Sequence, residues 1–127
     1  MFEKLELTRM AQTLAAHSGA RMAVIAENVA NADTPGYKAR DLPAFAEVFR
    51  DPDLPMRATR AGHLTAVGQG HLPDAERVKG HEAPNGNSVS LEAEMVKSVE
   101  ARQSHDMALA IYRATSDVIR ASLGRPR

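Results

Sequence analysis

Between Glu3 and Ala32, larger apolar or small side chains recur at Leu7, Ala11, Leu14, Ser18, Met22, Ile25, Val29 and Ala32. Gaps of three and four residues mark one face of an α-helix, so this segment is predicted to be helical. It contains no proline and a single glycine, Gly19. A neighbouring row, Ala11, Ala15, Gly19, Ala23, Ala26 and Ala30, is entirely small and would let a second helix approach closely. The helix is expected to stop near Asn31, because Asn tolerates the left-handed conformation of a C-cap and Pro35 cannot continue the ladder. Thr34-Pro35-Gly36-Tyr37 fits a type II turn, with Pro fixing φ at the second position and Gly supplying φ > 0 at the third.

A second helical pattern runs for 33 residues from Leu91 to Leu123 without Pro or Gly. Ser90 is placed to cap it, Glu92 and Glu94 complement the positive end of its dipole, and Gly124 and Pro126 end it. It carries two stripes. One is Leu91, Met95, Ser98, His105, Leu109, Tyr112, Ser116, Ile119 and Leu123; the other is Val96, Val99, Gln103, Met107, Ile111, Ala114, Val118 and Ala121. A helix apolar on two sides needs more than one neighbour, and the first helix can cover only one side. At 1.5 Å per residue it would be roughly 50 Å long, against a diameter of roughly 28 Å for a compact chain of this size. Periodicity alone thus points to assembly with other subunits.

The middle differs. Six of the seven prolines and six of the eight glycines fall between Asp33 and Ser90. This stretch reads as loop, with a short helix over Leu42 to Phe49 capped by Asp41. Asn85-Gly86 is a hairpin signal only between alternating apolar strands, and His81, Glu82 and Pro84 do not supply one, so a loop is expected there. The chain divides into residues 1–32, 33–90 and 91–127. The expected fold class is mainly α, with long N- and C-terminal helices and an irregular Pro/Gly-rich middle.

Composition narrows the function. The 127 residues suit one domain or one extended subunit, and only 4% are aromatic, thin filling for a globular core. Sixteen basic residues balance sixteen acidic ones, evenly in all three sections, so nothing steers the chain to nucleic acid or an anionic membrane. Cysteine is absent, which removes disulfides and thiolate chemistry. Met1 to Met10 carries Glu3, Lys4, Glu6 and Arg9, and no apolar run follows, so neither a cleaved signal peptide nor membrane insertion is expected. None of His17, His63, His71, His81 and His105 pairs with another at helical metal-ligand spacing. Gly68-Gln69-Gly70 lacks a preceding strand, Glu92 and Glu94 do not face each other on a helix, and Asp51 and Asp53 read as solvated in a Pro-rich loop. No catalytic residue, metal ligand or cofactor is expected.

One stretch carries more information. Glu27-Asn28-Val29-Ala30-Asn31-Ala32-Asp33-Thr34-Pro35-Gly36-Tyr37-Lys38-Ala39-Arg40-Asp41-Leu42 resembles the N-x-x-N-x-x-T-P-G-Y signature of bacterial flagellar basal-body rod and hook proteins, in a form most like the proximal rod subunits. Asn87-Ser88-Val89-Ser90-Leu91-Glu92-Ala93-Glu94-Met95 resembles the same family's opening of its C-terminal helix. Ser90 stands where the family often has an acidic cap and His105 where it often has an aromatic residue.

The resemblance implies a structural subunit whose N- and C-terminal helices pair as an antiparallel coiled coil, its sections together forming one assembly domain, and which polymerises by helix packing into a hollow drive shaft, transmitting torque and enclosing an export channel. Its implied partners are copies of itself, other rod proteins, the rod-base adaptor and MS ring, and the flagellar type III export apparatus in transit. The implied location is the periplasmic rod of the basal body. It assigns assembly roles to Asn28, Asn31, Thr34, Pro35, Gly36 and Tyr37, with Leu91, Glu92, Glu94 and Met95 at the second helix start. Helix packing is expected of Leu7, Leu14, Ile25, Val29, Leu91, Met95, Val99, Leu109, Tyr112, Ile119 and Leu123. The rival readings are a non-polymerising helical adaptor or export-related binding module, and a small enzyme using His63, His71 and His81.

Overall fold

The computed structural model describes residues 2–50 and 72–124. Its order is α1 (Phe2–Ala30), β1 (Arg40–Asp41), α2 (Phe45–Arg50), β2 (Glu76–Arg77) and α3 (Leu91–Ser122). The protein is mainly helical, and α1 packs along α3. The two run antiparallel. Asn28 near the end of α1 meets Glu94 at the start of α3, Arg21 reaches Glu100, and Ala11 and Ala15 share a recess with Ala108, Leu109 and Tyr112.

Both ends of α3 obey the local rules. Ser90 is the N-cap in extended conformation (φ −109°, ψ 113°), its hydroxyl accepting from the Ala93 N–H. At the far end the Leu123 N–H closes on the Ile119 carbonyl, and Gly124 follows at φ 82°. α1 gives way to the expected turn, in which the Tyr37 N–H donates to the Thr34 carbonyl at 3.3 Å and Gly36 sits at φ 73°. Leu42 to Ala44 stay outside α2, which begins later than the sequence pattern suggested. A short antiparallel ribbon, in which Arg40 pairs with Arg77 and Asp41 with Glu76, is not foreshadowed by any hydrophobic pattern. Two residues are too few to show an alternating pattern. The candidate residues His63 and His71, the Gly68-Gln69-Gly70 turn and the Asp51/Asp53 pair lie outside the described residues.

The seam between the helices is built from small side chains. On α1 its buried residues include Ala11, Ser18 and Ile25; on α3 they are Glu94, Ala101, Ala108 and Thr115. Both sets repeat every seven residues, the period at which one helix face stays turned toward its partner. Small residues occupy most of these positions because a closely approaching backbone leaves room for little beyond a Cβ. Large apolar side chains are displaced to the flanks. Of the expected packing residues, Ile25 is buried and Leu14, Leu109 and Ile119 are half-buried. Leu7, Val29, Leu91, Met95, Val99, Tyr112 and Leu123 are exposed in the single chain, Val99 and Leu123 by 67% and 71%.

This geometry predicts opposite responses to enlargement. Ala108→Leu should wedge the helices apart and cost about 1–3 kcal/mol, whereas Met107→Leu, on the exposed flank, should change stability by less than about 0.5 kcal/mol. Urea unfolding of the two variants measures the difference.

Candidate functional site

The polar residues of the first motif converge where α1 ends, α3 begins and the chain turns between them. Asn28 is fully buried. Its Nδ2 donates to the Arg40 carbonyl at 2.7 Å and to Glu94 Oε2 at 3.0 Å, while its Oδ1 accepts from the Arg40 N–H at 3.1 Å and the Tyr37 hydroxyl at 3.3 Å. An amide side chain offers two donors and two acceptor lone pairs, and here all four are used. One residue thereby joins α1, the turn, β1 and α3.

A second asparagine works from the other side. Asn87 is buried in the segment entering α3, and its Nδ2 lies 2.8–2.9 Å from the carbonyls of Asn31, Ala32 and Thr34. Those carbonyls belong to the turn that follows α1. Asn87 Oδ1 accepts from the Val89 N–H. Asn31 ties back to the Glu27 carbonyl and receives the Thr34 hydroxyl. Alongside, the Gly36 N–H donates to the Asn85 carbonyl, the Ser88 N–H to the Tyr37 carbonyl, and the Ala39 N–H to Ser88 Oγ. Lys38 Nζ donates to the Gly86 carbonyl and pairs with Glu82. The T-P-G-Y turn is therefore sewn to the 83–88 segment along its length, with Thr34, Pro35 and Gly36 left exposed.

A charged cluster extends this clamp into the seam. Arg21 grips Asp41 with two bonds, Nε to Oδ1 at 2.9 Å and Nη2 to Oδ2 at 3.1 Å. Lys97 Nζ sits 2.9 Å from Glu94 Oε1 and 3.6 Å from Asp41 Oδ2. Glu94, 1% exposed, thus spends one oxygen on Lys97 and the other on Asn28. The four formal charges cancel, as burial demands. Desolvation alone would raise the Asp41 pKa, but the Arg21 guanidinium, the Leu42 N–H and Lys97 together hold it below the usual carboxylate range. Hydrogen bonding to Asp41 in turn raises Arg21, and burial raises Tyr37.

Of the histidines described, His17 is buried, with Nε2 2.9 Å from the Pro43 carbonyl and its ring edge-on to Phe45 at 5.7 Å. It pins the start of α2 to α1. Among the described residues no group of three or more His, Asp or Glu could hold a metal ion. The arrangement binds parts of its own chain: every buried polar side-chain atom among the described residues has a partner. Its chemistry is mechanical, fixing the direction in which the chain leaves α1 and enters α3.

The structure brings Asn28, Asn31 and Tyr37 into this clamp, places Pro35 and Gly36 at its exposed edge, and sets Leu91 and Met95 outside it. Sequence reading missed Arg21, Lys97 and the role of Asn87, and it assigned Asp41 to capping a short helix where the structure pairs it with Arg21 and Lys97. A signal was present, since Asn28 follows Ile25 by three residues and Glu94 precedes Ala101 by seven, which puts both on heptad positions where a polar residue must find a partner.

The profile of the family described as flagella basal body rod protein matches residues 11–38, from mid-α1 through the turn. Over more of its length the chain is similar to flagellar basal body rod protein FlgB of Escherichia coli (strain K12), 31% identical over 121 residues that cover 87% of this chain and 88% of that protein. It is similar to the protein of the same name from Agrobacterium fabrum, 28% identical over 121 residues, 88% of each chain. The FlgB of Aquifex aeolicus is 32% identical over 86 residues, 68% of this chain and 67% of its own.

Two outcomes follow from the clamp. Asn28→Ala leaves the Arg40 peptide groups and a Glu94 oxygen buried without partners and should cost about 3 kcal/mol, read by chemical denaturation. Asp41 has a folded pKa below its unfolded one, so its contribution is complete above the usual carboxylate range, about pH 4, and is lost as pH falls through the folded value. Thermal unfolding below about pH 4 should show this loss, and Asp41→Asn should flatten that part of the profile.

Proposed function

The chain belongs to the FlgB family of flagellar basal body rod proteins, and we propose that it is a structural subunit of the proximal rod, polymerising by helix packing into a hollow shaft that transmits torque and surrounds an export channel. The family is structural, not enzymatic. The observation that carries the finer reading is the exposed apolar flank of α3. Met95, Val96, Val99, Met107 and Val118 are each about half to two-thirds exposed in the isolated chain, on a helix whose seam is already filled by α1. Side chains of this kind gain most when a neighbouring helix removes them from water, about 25 cal/mol for each Å² covered. Torque transmission calls for many such shallow contacts repeated around a tube.

In this reading α1 and α3 form one assembly domain, and the clamp built on Asn28 and Asn87 sets the angle at which the T-P-G-Y turn meets adjacent subunits. Thr34, Pro35 and Gly36, exposed on its rim, supply the outward surface. The partners are copies of this chain, other rod proteins, the rod-base adaptor and the MS ring. The subunit reaches the periplasmic rod through the flagellar export apparatus; among the described residues no helix is long and apolar enough to cross a membrane.

Cryo-electron microscopy of basal bodies containing this chain tests the reading. Density for α1 and α3 beside the channel, each touching several neighbours, is the expected result. A discrete one-to-one complex in solution and no incorporation would transfer the assignment to a non-polymerising adaptor. A companion variant, Val99→Glu with Met107→Glu, should leave the helical circular dichroism unchanged. It should weaken association with rod partners by at least about tenfold, equivalent to roughly 1.4 kcal/mol, with matching loss of swimming.

A further inference from the structure

The chain has four asparagines, and the fold treats one of them differently. Asn28 and Asn87 are buried with their amides held on both sides, and Asn31 is half-buried between the Glu27 carbonyl and the Thr34 hydroxyl. Val29, Ser88 and Ala32 follow them, each with a Cβ crowding the main-chain nitrogen. Asn85 is exposed and precedes Gly86. Gly86 sits at φ 80°, and a Cβ added there would lie 3.5 Å from the Gly36 Cα, so the two turns abut glycine on glycine. The Asn87 N–H donates to Asn85 Oδ1 at 3.1 Å, drawing electron density from the side-chain carbonyl.

We propose that Asn85 is a site of spontaneous deamidation through a succinimide, and that the isoaspartyl product opens the contact between the 83–87 turn and the T-P-G-Y turn. The Gly86 main-chain nitrogen attacks Cγ of Asn85. The Cγ–Nδ2 bond breaks, and the proton lost from the Gly86 nitrogen leaves with the amide as ammonia. Water then adds across one imide C–N bond. Opening at Cγ gives aspartate at position 85; opening at the main-chain carbonyl gives isoaspartate. The net change is amide plus water to carboxylate plus ammonium, with no oxidant or reductant.

The structure gates this chemistry and fixes its consequence. The Gly86 N–H is donated to the Ala83 carbonyl at 2.8 Å and must be released before attack. Breaking one such bond makes the folded chain react about tenfold more slowly than a free peptide of the same sequence. The Asn85 carbonyl that opens toward isoaspartate is the one receiving the Gly36 N–H at 3.0 Å. In the isoaspartyl chain that carbonyl becomes a pendant carboxylate and an extra methylene enters the backbone, so the turn loses its register on Gly36. The aspartyl product keeps the backbone and still accepts from the Asn87 N–H.

The full-length protein is incubated in mildly alkaline buffer beside a synthetic peptide of residues 81–90, and both are followed by peptide mass mapping and isoaspartyl methyltransferase labelling. The expected result is the amide-to-acid mass gain and isoaspartate at Asn85 alone, with no gain in Asn85→Ala and slower gain in Gly86→Ala. In the converted fraction the Gly36 amide should exchange hydrogen about tenfold faster, while Asn85→Asp leaves it unchanged. No conversion at Asn85 while the peptide converts, or conversion spread equally over the other asparagines, overturns the site. Unchanged Gly36 exchange in the isoaspartyl fraction overturns the proposed opening.

Discussion

A buried carboxamide needs four hydrogen-bond partners, and the rest of the fold is arranged around meeting that need for Asn28. Its partners come from β1, the turn and α3, so no one of these can shift without leaving a polar group unpaired in the interior. Nonpolar contacts in the seam could not impose this. Ala11, Ala101 and Ala108 have little shape to interlock, and sliding one helix along the other by a heptad would bury much the same area. Register is therefore set at one end of the helical pair, by polar geometry, and carried along its length by the stiffness of the helices.

The charged cluster shares that role. Arg21, Asp41, Lys97 and Glu94 come from α1, β1 and α3, and they neutralise one another where only the native alignment brings them together. Buried ion pairs contribute little net stability compared with apolar replacements, yet they penalise misalignment heavily, because a shifted partner leaves a charge without its complement. A seam of alanines and a clamp of charges thus divide the work. The first lets the helices approach, and the second specifies where.

Much of this was legible in the sequence, and the reason it stopped is physical. Long Pro-free stretches, the Ser90 cap, Gly124 and the T-P-G-Y turn are local signals, each decided within a few residues of chain, and the helices and turn follow them. Helix faces were harder to read. The large apolar residues of α3 form the louder pattern, but the close partner selected the quieter row of Ala101, Ala108 and Thr115. The clamp was half legible: the motif pointed to Asn28, Asn31 and Tyr37. Arg21 and Lys97 looked like ordinary solvated charges, since their partner Asp41 lies 20 residues from one and 56 from the other. The two-residue ribbon and the burial of His17 against Pro43 likewise arise from contacts between distant segments.

The three carbonyls around Asn87 Nδ2 form a shell of acceptors just beyond the negative pole of α1. The chain fills that shell with its own amide. A dissolved ion there would come and go with the salt around it, whereas the amide is delivered by the same backbone, at an effective concentration set by how the intervening loop returns. Closing the end of α1 and docking the entrance to α3 are consequently one ligation event. The approach to the second helix is also the covalently supplied cap of the first.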